Sequence, residues 1–106
     1  MVEEISNIKE FDNALKAEYA FVDFYAEWCM PCVMMGPIID EVAIKKFQKK
    51  VHFTKVNVDE YGEIAEKYGV MSIPTMIILK AGKEVGRIIG AVSEETLIEK
   101  ITSYIK

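Results

Sequence analysis

Apolar and polar positions along the 106-residue chain switch repeatedly between two spacings, and the elements they predict switch with them. Tyr19 to Ala26 is nearly all apolar, which marks a central strand buried on both faces. Val51–Val58 reads as a second strand. Thr75–Lys80 and Glu84–Gly90 read as two more, joined by Ala81–Gly82–Lys83 into a hairpin. Residues 2–5 form a short edge strand. Between these runs the apolar spacing widens to that of helices. Ser6 or Asn7 caps a helix reaching about Glu18, with Ile8, Phe11 and Leu15 on one stripe. A second helix runs from Pro31 to about Lys46, with apolar residues at Met34, Met35, Ile38, Ile39 and Val42. Pro37 lies inside it and is expected to kink it, since proline has no N–H to give. Glu60–Tyr68 is a short helix stopped by Gly69. Ser93 caps a last helix whose stripe is Leu97, Ile98, Ile101 and Ile105. The order βαβαβαββα predicts an α/β domain over residues 1–106. Its mixed five-stranded sheet carries four helices on its faces.

Composition narrows the functions open to such a domain. Apolar residues make up 51% of the chain and charged residues 28%, a balance that supports one packed core. The net charge is −4, and one Arg with scattered Lys makes no basic stripe. Nucleic acid is therefore not an expected partner. Residues 1–20 carry charges throughout and contain no apolar signal core. The longest mostly apolar stretch, Gly69 to Leu79, is far too short to cross a bilayer. A cytoplasmic monomer with no membrane partner is the expectation.

Chemistry concentrates in Trp28–Cys29–Met30–Pro31–Cys32, where the buried strand gives way to a helix. The two cysteines are the only ones in the chain. Pro31 suits a first helical turn, where its missing N–H costs nothing. Cys29 then sits at a helix N-terminus, where unpaired N–H groups and the macrodipole favour an anion. A thiolate is such an anion, and it is the nucleophile of disulfide exchange. Cys32 lies one turn on, close enough to bond without moving the backbone. Cys29 is expected at an exposed tip and Cys32 turned inward. A metal site is the rival reading, but zinc wants four ligands and His52 is the only histidine. Met34, Met35 and Met76 read as core packing. Gly82, Gly86 and Gly90 fit no nucleotide-binding pattern and read as turn and strand-end glycines.

Asp23 is out of place in an apolar strand, because an ionised carboxylate there is costly to bury. Either the strand assignment fails at that point or the acid is functional, with a pKa raised by desolvation. Lys55 shares parity with Val51 and Phe53. It either snorkels to the surface or partners an acid. On residue type alone Ile73–Pro74 is expected to be trans.

The segment Val22–Asp23–Phe24–Tyr25–Ala26–Glu27–Trp28–Cys29–Met30–Pro31–Cys32 resembles the active-site strand and loop of the thioredoxin family. The resemblance continues through Pro37, Lys55–Asp59, Tyr68–Gly69–Val70, Ser72–Ile73–Pro74–Thr75 and Gly90–Ala91. It implies a thioredoxin fold and a protein dithiol–disulfide oxidoreductase. Cys29 would attack a substrate disulfide and Cys32 would resolve the mixed disulfide. Asp23 would lie behind Cys32 as its proton acceptor, with Lys55 as its partner. The resemblance also implies a cis Pro74 facing the cysteines and Trp28 beside Cys29. Around them Met30, Pro31, Val70, Met71, Ile73, Pro74, Gly90, Ala91 and Val92 would supply a docking rim. Met30 and Val33 replace the family's usual glycine and lysine, which bears on potential and partner choice. The redox group is the Cys29–Cys32 pair and no other cofactor is implied. Partners would be disulfide-containing proteins and a separate thioredoxin reductase. Two alternatives stand beside this: a glutaredoxin-like, glutathione-dependent reductase, and a module bridged through metal by two cysteines per chain.

Overall fold

The computed structural model describes residues 2–47 and 49–105, so Met1, Gln48 and Lys106 of the expected domain lie outside the described residues. The elements are β1 (Glu3–Glu4), α1 (Ile8–Ala14), β2 (Tyr19–Tyr25), α2 (Met30–Lys45), β3 (His52–Asn57), α3 (Gly62–Lys67), β4 (Thr75–Lys80), β5 (Lys83–Ile89) and α4 (Glu94–Tyr104). The expected order is thus observed. The sheet runs β1-β3-β2-β4-β5, with β1 and β2 parallel to β3, and β4 antiparallel to both β2 and β5.

Parity along β2 sends successive side chains to opposite faces. Tyr19 and Phe21 join Met35, Ile39 and Val42 of α2 and Leu97 and Ile101 of α4. Ala20, Val22 and Phe24 join Phe11 of α1 and Ile64 and Ala65 of α3 on the other side. Both faces of the central strand are therefore covered, which is why its sequence is almost unbroken in apolarity. Each large side chain buried here contributes about 1.5–3 kcal/mol. Asp23 takes its place on the α2 face between Phe21 and Tyr25, with Lys55 opposite it on β3 and Met76 opposite it on β4.

The helix ends follow local chemistry. Asn7 caps α1 by accepting from the Glu10 N–H at 2.9 Å, while Glu10 Oε1 accepts from the Ser6 N–H at 2.8 Å. That helix stops at Ala14, short of the expected Glu18. Lys16 and Ala17 bond back only three residues, tightening the chain so that it can turn into β2. Ile8, expected on the core stripe with Phe11 and Leu15, is exposed. Gly69, at φ 65°, ends α3: its N–H reaches the Glu66 carbonyl and the Val70 N–H reaches that of Ala65. Ser93 caps α4 by accepting from the Thr96 N–H. Pro37 sits within α2, which continues through it to Lys45.

Two further corrections concern one side chain and one turn. Met35 and Met76 are core as expected, but Met34 is exposed. The inward stripe of α2 is taken by Met35, Ile39 and Val42, and Met34 falls on the opposite flank. The β4–β5 connection is the two-residue turn Ala81–Gly82, both at positive φ, so β5 begins at Lys83.

Candidate functional site

The site is assembled at the carboxyl end of β2. Ala26, Cys29 and Cys32 form a small buried cluster against Tyr25, Val58 and Ile73. Cys29 is the N-cap of α2, extended at φ −90° and ψ 108°, and Met30 and Pro31 open the first turn. Its Sγ accepts from the Cys32 N–H at 3.3 Å. The sulfur thus occupies the place where a cap oxygen usually sits, directed at the free N–H groups of the helix end. Cys29 and Cys32 are joined by a disulfide with their Cα atoms 5.2 Å apart.

The expected difference in access between the two cysteines is not seen. Each is 5% exposed, because the bond ties both sulfurs to the same covered position. They differ in what they face. The Ile73 carbonyl oxygen lies 3.9 Å from Cys29 Sγ, whereas Cys32 lines a cavity of about 390 Å³ with Asp23, Tyr25, Glu27, Gly36 and Lys55. A larger depression along α1 is lined by polar side chains such as Asn7, Lys9 and Glu10 and shares no residue with this one.

Ile73 is held by the loop around it. The Ile73–Pro74 bond is cis and Pro74 is buried. Gly90, at φ 91°, donates its N–H to the Pro74 carbonyl at 2.8 Å, and Thr75 Oγ1 donates to the Ser72 carbonyl at 2.7 Å. Arg87 bridges Glu84 to the end of α3, donating to the Tyr68 carbonyl at 2.6 Å. The loop from Gly69 to Pro74 is therefore pinned at both ends against β5.

Around the disulfide the surface is apolar and open. Trp28 is 69% exposed, Met30 66% and Met71 94%; Pro31, Val33, Met34 and Ala91 are also exposed. The first ten residues of α2, Met30 to Ile39, include no charge. Trp28 Nε1 donates to Asp59 Oδ2 at 2.9 Å, which fixes the indole over a groove lined by Val58, Val70, Met71 and Ile73. Of the residues expected at the site, Asp23, Cys32 and Lys55 line one cavity and Trp28, Val70, Met71 and Ile73 line the groove, while Lys55 forms its ion pair with Glu4.

Asp23 is 4% exposed and its Oδ1 has no hydrogen-bond partner in the protein. Burial pushes its carboxyl up to about 7, opposed by the Lys55 ammonium and assisted by Glu4 and Asp40. Lys55 Nζ pairs instead with Glu4 Oε1 at 3.6 Å and lies 5.3 Å from the centre of the Tyr25 ring. The Tyr25 hydroxyl donates to both Glu4 oxygens at 2.7 Å, and burial together with Glu4 pushes its own pKa up. Sequence reasoning missed Glu4, Tyr25 and Asp59 as members of the site. Glu4 was visible only as an edge-strand residue, since its register with Lys55 is a property of the folded sheet.

A C-x-x-C pair at a helix N-terminus, a cis proline beside it and a buried acid behind it is a combination that can be compared with known proteins. The thioredoxin family model matches residues 2–103. The chain belongs to the thioredoxin family. It is 44% identical over 84 residues to a thioredoxin of Pyropia yezoensis, covering 79% of this chain and 78% of the relative. It is 37% identical over 103 residues to a thioredoxin of Synechocystis sp., covering 96% and 95%. The solution structure of oxidised thioredoxin from Plasmodium falciparum superposes with a TM-score of 0.87 at 36% identity, covering 100% of both chains. The fold is the thioredoxin fold, and the protein is a thiol–disulfide oxidoreductase that works through the Cys29–Cys32 pair. Thioredoxins normally carry no cofactor beyond such a disulfide. Neither the glutathione-dependent nor the metal-bridged reading is favoured. Among the described residues no three His, Cys, Asp or Glu side chains are grouped to hold a metal ion.

Proposed function

We propose that this thioredoxin reduces the disulfides of partner proteins, with Cys29 as attacking thiol, Cys32 as resolving thiol and Asp23 as proton acceptor. The observation that carries the reading is the different surroundings of the two sulfurs: Cys29 caps the helix beside the open groove, and Cys32 faces the Asp23 cavity. In the reduced protein the helix N-terminus favours the Cys29 thiolate. That thiolate attacks one sulfur of the substrate disulfide, and the other sulfur leaves as a thiolate that takes up a proton. Cys32 then gives its proton to Asp23 and attacks Cys29 Sγ. The second substrate thiol departs, and the Cys29–Cys32 disulfide has gained the bond that the substrate lost. The two electrons are returned by a separate thioredoxin reductase, in a compartment such as the cytosol where thiols are kept reduced.

The test is turnover of a protein disulfide such as insulin, with dithiothreitol as electron donor. The rate is expected to rise in proportion to the amount of protein added. A rate equal to that of dithiothreitol alone overturns the reading.

The apolar rim gives a second expectation. A substrate chain that brings its sulfur to Cys29 must cover Met30. Met30→Gln replaces that thioether with a polar side chain of similar size and adds no charge. It should raise KM for a protein disulfide about fivefold, the equivalent of about 1 kcal/mol of apolar burial. The rate with a small symmetrical disulfide, which makes no such contact, should stay the same. Equal effects on both substrates would place Met30 in the chemistry rather than in docking.

A further inference from the structure

Three adjacent strands place three charged residues in one row. Glu4 on β1 is in register with Lys55 on β3, and Lys55 is in register with Asp23 on β2. Paired residues in register point to the same face of a sheet. Lys55 thus stands between two carboxylates and is paired with one of them. Its Nζ is 3.6 Å from Glu4 Oε1, and among the described residues no ion pair joins it to Asp23. Asp23 Oδ1 is left buried and unpartnered.

Glu4 is itself fixed. The Tyr25 hydroxyl donates to both of its oxygens at 2.7 Å, and the Lys55 ammonium rests 5.3 Å from the centre of that same ring. Tyr25 and Asp23 lie two residues apart on the same face of β2. The Glu4–Tyr25 pair therefore forms a holder for the ammonium of Lys55, whose side chain also lines the Asp23 cavity.

We propose that Glu4 is a positioning residue of the redox reaction: anchored by Tyr25, it draws Lys55 aside and leaves Asp23 free to take the proton of Cys32. The inference rests on the reading of Asp23 as that acceptor and adds what keeps it available. A direct ion pair with Lys55 would hold the carboxylate in its charged form and depress its proton affinity by one to three pKa units. A carboxylate so held is a poor acceptor for a thiol proton near neutral pH. The groups facing Asp23 are Lys55 from β3, Glu4 from β1, Tyr25 from its own strand, Asp40 and Cys32 from α2, and Glu27 at the cavity wall. Of these, Lys55 alone is a cation, so its position decides the balance. The observed balance is a carboxyl raised to about 7, with burial the largest cause and the Glu4 charge among the lesser ones.

The experiment is a pH titration of the Asp23 side-chain carboxyl carbon by NMR in the full-length oxidised protein. Four proteins are compared: the parent, Glu4→Gln, Lys55→Gln and the double variant. Glu4 lies on an exposed two-residue edge strand, so these changes leave the core intact. Glu4→Gln is expected to move the Asp23 midpoint down by about one pH unit, because it removes a nearby negative charge and releases the ammonium toward Asp23. In the Lys55→Gln background the same change should have less than half that effect, since no ammonium is left to move. Tyr25→Phe, which keeps both charges but removes the anchor, should move the midpoint in the same direction by less. A midpoint within about 0.2 pH units of the parent in Glu4→Gln overturns the proposal. So does an equal shift with and without Lys55, which would reduce Glu4 to a plain background charge. These readouts do not depend on catalysis. The reading of Asp23 as acceptor stands or falls separately, on the release kinetics of Asp23→Asn.

Discussion

Cys29→Ser is expected to abolish reduction of a protein disulfide, whereas Cys32→Ser is expected to stop the reaction after its first step with the substrate still attached. The difference follows from geometry rather than from exposure, since both residues are equally covered. Cys29 Sγ accepts from the Cys32 N–H at the N-cap of α2, so a thiolate formed there gains from the free donors and the dipole of a 16-residue helix. Serine at that position retains the cap but ionises far too weakly to attack, and kcat/KM should fall at least a thousandfold, roughly the scale seen when a covalent nucleophile is removed. Cys32 Sγ faces the Asp23 cavity instead of the groove beside Ile73 and Met71. With serine there, Cys29 still attacks, but nothing displaces the substrate from the mixed disulfide. Mass spectrometry under non-reducing conditions should show the adduct with Cys32→Ser as a major species and none with Cys29→Ser. Comparable adducts from both variants would mean that the two sulfurs are chemically interchangeable.

Much of this site was legible in the chain because its signals are local. Trp28 to Cys32 lies at a strand-to-helix junction, and both the hydrophobic run before it and the helical spacing after it can be read within a few residues. Asp23 announced itself by contradiction, as an acid inside an apolar run. What failed were properties that depend on distant elements. Met34 read as core because α2 offers apolar residues on more than one flank, and only the sheet and α4 decide which flank is covered. The difference in access between the cysteines was read from helix position alone, but the covering groups are Val58 and Ile73, brought in from elsewhere in the chain. The partner of Lys55 depends on the register of β1 with β3, and a two-residue strand carries too little pattern for register to be inferred. The early end of α1 reflects a turn required by the position of β2, which local propensity does not encode.

Asp23→Asn is expected to slow the second chemical step and to stabilise the protein, both in a defined pH range. Burial raises the carboxyl from 3.8 to about 7, so the folded state holds its proton more tightly than the unfolded chain does. Folded and unfolded states bind equally at pH values well below 3.8 and equally again well above 7. Between those limits the folded state binds more protons, and stability falls as the pH rises. A displacement from 3.8 to about 7 corresponds to roughly 4 kcal/mol lost across that window. Asparagine has no charge to desolvate and recovers this cost, but its amide has no obvious partner at a site where Asp23 Oδ1 already lacks one, which costs about 1–3 kcal/mol. The variant should therefore melt above the parent at pH 8 by an amount equivalent to about 1–3 kcal/mol, on the order of 10 °C for a domain of this size. The advantage should shrink as the pH is lowered toward 4. Thermal unfolding at pH 4, 6 and 8 separates this from a general packing effect, which would be the same at every pH. In catalysis the sign is opposite. Near and above its midpoint the parent carboxylate is ionised and accepts the Cys32 proton; the variant must wait for unaided ionisation of a thiol whose ordinary pKa is about 8.5. Single-turnover release from the mixed disulfide should be slower in Asp23→Asn by about tenfold or more at pH 7 to 7.5. The two proteins should converge below about pH 5, where Asp23 is itself protonated, and above about pH 9, where the thiol needs no base. Release rates that coincide from pH 5 to 8 would leave the buried acid with a cost to stability and no part in the reaction.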